Sequence, residues 1–230
     1  MRHLFWSAFP TLVVLAIAGH PVSSQTIPST FEYLEKRQEV GGYFGTMSAG
    51  TGRFGFGPDG GMAYGARYAV ELSGPLAFEA RSGFVDGRRQ VVDPSRLPGE
   101  QIIGEVDSQI LTTDVGFRFT FTGRRSWRGF APFLTAHAGI AMDMLDTSSL
   151  DQTLLPADVF DFGNSFLGSL GLGTRWFVTD AIAARVDGRF SLWKLDTPPG
   201  FSEPDRGFEN VADGEWVSGN TLTLTLLYRW

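Results

Sequence analysis

The sequence predicts an all-β protein: a closed, up-and-down antiparallel barrel of eight strands that crosses a membrane. Three patterns carry this. Apolar residues recur with a period of two over eight separate stretches, which is the repeat of a strand with one apolar face. The links between those stretches alternate short and long. The charges within the stretches fall on one face only.

The first 24 residues read as an export signal. Arg2 supplies a positive start, Leu4 to Ala18 is apolar with one break at Pro10, and Val22 and Ser24 suit the −3 and −1 positions of a cleavage site. Cleavage after Ala18 is the alternative. The unbroken apolar part is shorter than the ~20 residues of a spanning helix. Residues 25–36 form a polar, proline-marked lead, and the barrel domain is expected over 37–230.

The first strand is expected over Arg37–Met47, followed by a glycine-rich tip, Ser48–Gly61. The second, Met62–Leu72, places Met62, Tyr64, Tyr68 and Val70 on one face and Gly65, Arg67 and Glu71 on the other. Ser73-Gly74-Pro75 is a tight turn. The third strand, Leu76–Val85, sets Leu76, Phe78 and Phe84 against Glu79, Arg81 and Gly83. A long polar loop is expected over Asp86–Asp107. The fourth strand, Ser108–Thr122, sets Val115, Phe117, Phe119 and Phe121 against Asp114, Gly116 and Arg118.

Gly123–Gly129 is a short basic turn. The fifth strand, Phe130–Met142, sets Leu134, Ala136, Ala138 and Ile140 against Thr135, His137 and Gly139. A long acidic loop runs over Asp143–Gly163. The sixth strand, Asn164–Phe177, opposes Leu170, Leu172 and Trp176 to Gly171, Gly173 and Arg175. After Val178-Thr179-Asp180, the seventh, Ala181–Lys194, opposes Ile182, Val186, Phe190 and Leu192 to Arg185, Asp187 and Arg189. A second acidic loop, Leu195–Glu215, leads to the last strand, Val217–Trp230, with Leu222, Leu224, Leu226, Tyr228 and Trp230 on its apolar face.

A soluble lipocalin-like barrel also has eight strands, but its apolar faces point inward. The charges decide against that arrangement. Arg67, Glu71, Glu79, Arg81, Asp114, Arg118, Arg175, Arg185, Asp187 and Arg189 lie on polar faces that mix arginine with carboxylate and contain almost no lysine. That composition suits a closed set of ion pairs better than a water-facing surface. Lipid cannot satisfy backbone groups, so a sheet crosses only when closed. Eight strands enclose a bore just wide enough for side chains to fill, and charges there must be paired. Judged from the adjoining turns, Glu79 and Arg118 are at matching depth and are expected to pair. Aromatic residues near strand ends fit interfacial girdles: Tyr43 or Phe44, then Trp127, Trp176, Trp193, Trp216, Tyr228 and Trp230.

The hairpin YGARYAVELSGPLAFEARSGF, the stretch AARVDGRFSLW and the aromatic terminus together resemble the small eight-stranded bacterial outer-membrane barrels, the OmpA-transmembrane-domain and OmpX type within the porin family. The resemblance covers the whole mature chain. It implies an outer-membrane location, outer-membrane lipid and lipopolysaccharide as surroundings, and recognition of Tyr228 and Trp230 by the barrel assembly machinery. The chain stops at its last strand, so the peptidoglycan-binding domain that follows in OmpA is not expected.

The formal charge is −6 and no block of basic residues occurs, so nucleic acid is not an expected partner. There is no cysteine for a disulfide or a thiolate site. GTGRFG at Gly50–Gly55 matches a dinucleotide fingerprint but has no βαβ context. His137 lies mid-strand and reads as a hydrogen-bonding histidine of the lumen; in the outer-membrane lipid A deacylases a serine lies two residues after such a histidine, where this chain has Gly139. No catalytic, cofactor or metal residue is assigned. The acidic loops offer a surface for divalent cations or another ligand. The expected role is non-enzymatic: structural, surface-interacting or envelope-stabilising. The rival is a narrow channel for small or hydrophobic solutes, with glycines on the inner faces leaving room. A lipid-modifying enzyme ranks below both.

Overall fold

The computed structural model describes residues 29–97 and 99–230; the export signal and its cleavage site lie outside them. Among the described residues ten strands follow in order: β1 Phe31–Tyr33, β2 Gln38–Ala49, β3 Pro58–Ser73, β4 Leu76–Val92, β5 Ile102–Thr120, β6 Arg125–Trp127, β7 Phe130–Asp143, β8 Asn164–Phe177, β9 Ile182–Asp196 and β10 Gly214–Arg229. Each long strand pairs antiparallel with the long strands before and after it in sequence. The pairing of β10 with β2 closes the ring of eight, and β1 and β6 are appended to it.

The side-chain alternation runs as the sequence predicts. Leu224, Phe119 and Val186 are 58%, 46% and 47% exposed on the outer wall, while Thr223, Arg118 and Asp187 are buried in the bore. An outer wall of leucine, valine and phenylalanine has no counterpart in a water-soluble barrel, where large apolar side chains gather inside. The chain is a transmembrane barrel with short turns at one end and long loops at the other.

Four expectations are corrected. Asp86–Asp107 is not a loop. β4 and β5 stay paired out to Val92↔Ile102, so a two-stranded arm rises beyond the wall at the loop end. Its outward side chains are charged, as Arg88 and Glu105 illustrate, because that part of the ladder stands in water; the apolar alternation stops while the backbone hydrogen bonds continue. Tyr43 and Trp193 are not girdle residues. Both sit on the inward phase of their strands and are buried, whereas Phe44, Trp127, Trp176, Trp216, Tyr228 and Trp230 are exposed.

The long loops, expected to be polar, carry an apolar core described below. Finally, the lead is structured. β1 pairs with β6, which lies in the link between β5 and β7, while β2 begins on the opposite side of the ring. Residues 34–37 therefore bridge the bore at its turn end. Leu34 N donates to Arg124 O at 2.9 Å, Arg124 Nη2 donates to Leu34 O and Glu35 O, and Lys36 Nζ donates to Arg229 O at 3.3 Å.

An arginine placed on the outer wall tests this orientation. Leu224→Arg should cost about 2–4 kcal/mol of folding stability in vesicles, the cost of a cation near mid-bilayer. Urea titration of the refolded protein reads it; an unchanged midpoint contradicts the lipid-facing assignment.

Candidate functional site

The bore is packed in three tiers. At the turn end, Arg118 and Arg175 share the carboxylates of Glu39 and Glu71. Arg118 Nη1 donates to Glu39 Oε1, its Nη2 to Glu71 Oε1 at 3.0 Å, and Arg175 Nη1 reaches Glu39 Oε2 at 2.9 Å and Glu71 Oε1 at 3.2 Å. In the middle, Glu79 Oε2 accepts from Arg185 Nη1 at 2.6 Å and from Arg118 Nη1 at 3.2 Å. Asp187 Oδ1 accepts from Arg185 Nε at 2.8 Å and Arg67 Nη1 at 2.9 Å. In the same tier, Asp114 Oδ2 accepts from Arg81 Nη2 at 2.6 Å, and His137 Nδ1 lies 2.8 Å from Asp114 Oδ1.

All eleven residues read from the sequence as lumen side chains thus meet in one network inside the barrel. The sequence pattern leaves out two members. Glu39 is placed by the parity of β2, and Arg229 lies at the foot of β10, 3.9 Å from Glu39. Three inward aromatics were missed as well. The Arg185 guanidinium stacks 4.2 Å from the Phe133 ring centre, Arg67 and Arg81 face Tyr43 at 5.2 and 5.6 Å, and Arg229 lies 4.5 Å from Phe177. Flat guanidinium groups suit such stacking, which explains why arginine rather than lysine fills this bore.

The inner glycines are occupied by their neighbours. A Cβ on Gly83 would lie 2.1 Å from Tyr43 Oη, and one on Gly116 would lie 2.3 Å from His137 Cδ2. These glycines make room for the tyrosine and the imidazole to lie across the adjoining strand. The space that the channel reading assigned to a solute is filled by side chains.

At the loop end the third tier is apolar. Phe56 from the β2–β3 loop, Phe160 and Phe162 from the β7–β8 loop and Phe201 from the β9–β10 loop pack on Val85, Val92, Ile110, Leu167, Trp193, Leu195 and Val217. Phe56 lies 4.6 Å from Phe160 and 5.4 Å from Phe201 between ring centres. Phe54 and Phe208 extend the stack over Phe201. The signal for this lid was present in the sequence as paired phenylalanines within otherwise polar loops: RFGFG, VFDFG and GFSEPDRGF. Beneath the lid a void of about 20 Å³ remains between Met47, Thr112, Phe162 and Trp193, room for about one water.

The acidic loops are also less bare than expected. Asp151 and Asp158 are buried and find partners on other elements: Arg89 Nη2 on β4 lies 2.5 Å from Asp151 Oδ2, and Arg206 Nη1 in the β9–β10 loop lies 2.6 Å from Asp158 Oδ1. Asp143, Asp146 and Asp161 stay at the rim, with Asp107 and Leu145, around a crevice of about 370 Å³. Among the described residues no three acidic or histidine side chains come together in a geometry that holds a metal ion.

His137 and its cross-strand neighbour Ser169 adjoin Asp114, a trio with the composition of a nucleophilic triad. The wiring differs from a triad. Ser169 Oγ accepts from Arg189 Nη1 at 3.2 Å, and Arg189 Nη1 also lies 2.7 Å from His137 Nδ1. His137 Nε2 faces Glu79 at 3.9 Å. A base that activates a serine needs a free ring nitrogen within hydrogen-bond reach of it.

No protein-family model matches the chain, and no curated protein is similar to it in sequence. Solved structures are similar in fold. The outer membrane protein OprG from Pseudomonas aeruginosa superposes with a TM-score of 0.54 at 10% identity, over 86% of this chain and 97% of that one. Neisserial surface protein A gives 0.49 at 13% identity, over 88% and 98%. The E. coli outer membrane protein W gives 0.43 at 12% identity, over 85% and 100%. The chain has the fold of the small eight-stranded outer-membrane barrels.

Removing one member of the network exposes its dependence on pairing. Arg118→Met leaves Glu39, Glu71 and Glu79 short of a cation and should cost about 3–5 kcal/mol, read as a lower urea midpoint. The lid should respond to acid. Burial raises the Asp151 carboxyl, but hydrogen bonds from Arg89 and Ser148 outweigh it and hold the group below its ordinary 3.8. A carboxyl depressed on folding stabilises above the unfolded value and loses that contribution as pH falls through the folded one. Trp193 emission, read with the other tryptophans replaced, should therefore redden below about pH 4. In Arg89→Met the acid step should vanish, because the lid is already loosened at neutral pH.

Proposed function

We propose that this is an integral outer-membrane barrel, exported by a signal over residues 1–24, with a non-enzymatic role at the cell surface or in envelope stability. The observation that carries this reading is the plugged bore. A strap, an ion-paired middle and an apolar lid fill it from end to end, which supports a rigid pillar over a conduit. The turn end then faces the periplasm and the loop end faces outward.

The outward end is a built surface. The β4–β5 arm stands above the lid, which ties the β2–β3, β7–β8 and β9–β10 loops together through aromatic contacts. Around it the carboxylates of Asp143, Asp146 and Asp161 remain without a salt-bridge partner within 4 Å among the described residues. Such a rim repels lipopolysaccharide phosphates unless divalent cations lie between them, so cation bridging to lipopolysaccharide belongs to this proposal. Higher thermal stability in calcium with lipopolysaccharide vesicles, but not in calcium alone, is the expected signature. Tyr228 and Trp230, stacked 5.8 Å apart on the outer wall beside the chain end, serve as the signal for the assembly machinery. Trp230→Ala should then lower the amount recovered in the outer-membrane fraction.

Planar-bilayer recordings test the central claim. The refolded protein, its insertion checked by heat-shifted gel mobility, should give no steady conductance steps. Steps that persist in the inserted protein would overturn the pillar reading in favour of a channel.

A further inference from the structure

The link between β5 and β7 reads GRRSWRG, Gly123–Gly129, and it concentrates positive charge that the other turns at this end lack. Ser73-Gly74-Pro75 is uncharged, and Val178–Ala181 carries only Asp180. The three arginines are placed differently. Arg124 is spent on the strap, with its guanidinium 4.9 Å from the Tyr33 ring centre and bonded to the Leu34 and Glu35 carbonyls. Arg125 and Arg128 are exposed, and no carboxylate lies within 4 Å of either among the described residues. The nearest acid by register is Glu32, opposite Ser126 in the β1–β6 ladder.

The backbone holds this turn in place. Arg128 has φ +50°, a left-handed conformation that a residue with a Cβ rarely adopts. Its N–H donates to Thr30 O at 3.0 Å, so the lead fixes it. Around the two arginines lies an apolar and aromatic band: Trp127 with its ladder partner Phe31, then Tyr33, Phe130 and Trp176, all exposed. Phe130 and Trp176 stack at 6.1 Å. The Arg128 guanidinium lies 5.5 Å from the Trp127 ring centre.

Exposed tryptophan, tyrosine and phenylalanine at the edge of an apolar wall mark the depth where lipid tails give way to headgroups. Two free guanidinium groups at that depth meet phosphate, the anion they bind best through paired N–H donors. We propose that the Gly123–Gly129 turn and β1 form a binding bracket for the phosphate of an anionic phospholipid in the periplasmic leaflet. Arg125 and Arg128 clamp the phosphate, and Trp127 and Phe31 lie against the glycerol and upper acyl chain. The chain as a whole is acidic, so the attraction is local to this turn and not a general pull toward anionic membrane. The proposal rests on the turn end facing the periplasm.

Native mass spectrometry of the refolded full chain in detergent, titrated with phosphatidylglycerol or phosphatidylcholine, tests it. The protein should retain phosphatidylglycerol in preference to phosphatidylcholine, and 0.5 M salt should erase the preference. In Arg125→Gln/Arg128→Gln the apparent affinity for phosphatidylglycerol should fall about three- to tenfold, the loss of two exposed charge pairs. Arg53→Gln/Arg96→Gln, at the loop end, should keep it. Equal retention of the two lipids by the unaltered protein overturns the proposal even if the variant fails to fold. A folded variant that keeps the preference also overturns it. Millimolar inorganic phosphate should not displace the lipid; full displacement would assign the site to free phosphate instead. Heat-shifted gel mobility in vesicles reports insertion separately, so a failure of the membrane placement is distinguishable from a failure of the bracket.

Discussion

A charge inside a cylinder surrounded by lipid has no bulk water to turn to, so its neutralisation must come from other side chains of the bore. Everything about this bore follows from that requirement. Glu79 on β4 draws on Arg118 from β5 and Arg185 from β9, strands that lie on different sides of the ring. Glu39 on β2 draws on β5 and β8. Each carboxylate is therefore a cross-brace, and the braces hold the ring round as much as the ladder hydrogen bonds do. Buried ion pairs of this kind are a weak source of net stability but a strict filter on geometry. A one-residue register slip of a strand would turn its inward arginines out into the lipid.

The aromatic rings set between the arginines complete the filling. Phe133, Tyr43 and Phe177 occupy the gaps that charge pairing leaves, and their faces lie against guanidinium planes. Gly65 and Gly83 give the Tyr43 ring room, and Gly173 does so for Phe133. The apolar lid then replaces charge pairing entirely at the end where the loops close over. Polar and apolar packing thus divide one lumen between them, with Thr112 and Trp193 near the boundary.

The wall was legible in the sequence because its signal is local: a period of two, interrupted by turns, needs no knowledge of the rest of the chain. The lumen charges were legible for the same reason, since parity assigns Arg67, Glu79 and Arg118 to one side. What parity could not supply was which loop residues meet. Asp151 and Asp158 looked unpaired because Arg89 comes from the β4–β5 arm and Arg206 from the β9–β10 loop. Phe54, Phe56, Phe160 and Phe201 looked incidental because each loop carries only one or two of them. The same parity marks Tyr43 and Trp193 as inward, but the chemistry of aromatic residues near strand ends points to the girdle and overrides their phase. The β4–β5 arm was lost because the alternation that reveals a strand in lipid fades once both faces meet water.

β2 opens the barrel in sequence and β10 ends it, yet they lie side by side, with Gln38 and Trp230 exchanging backbone hydrogen bonds at 3.2 and 3.1 Å. Every other wall pairing joins sequence neighbours and can form as a growing hairpin stack. This one links positions nearly a whole chain length apart, and loop-closure entropy makes such a join the slow step. Until the final strand arrives, β2 has an open edge. The time that edge stays unpaired is the interval in which the barrel is most exposed to wrong partners.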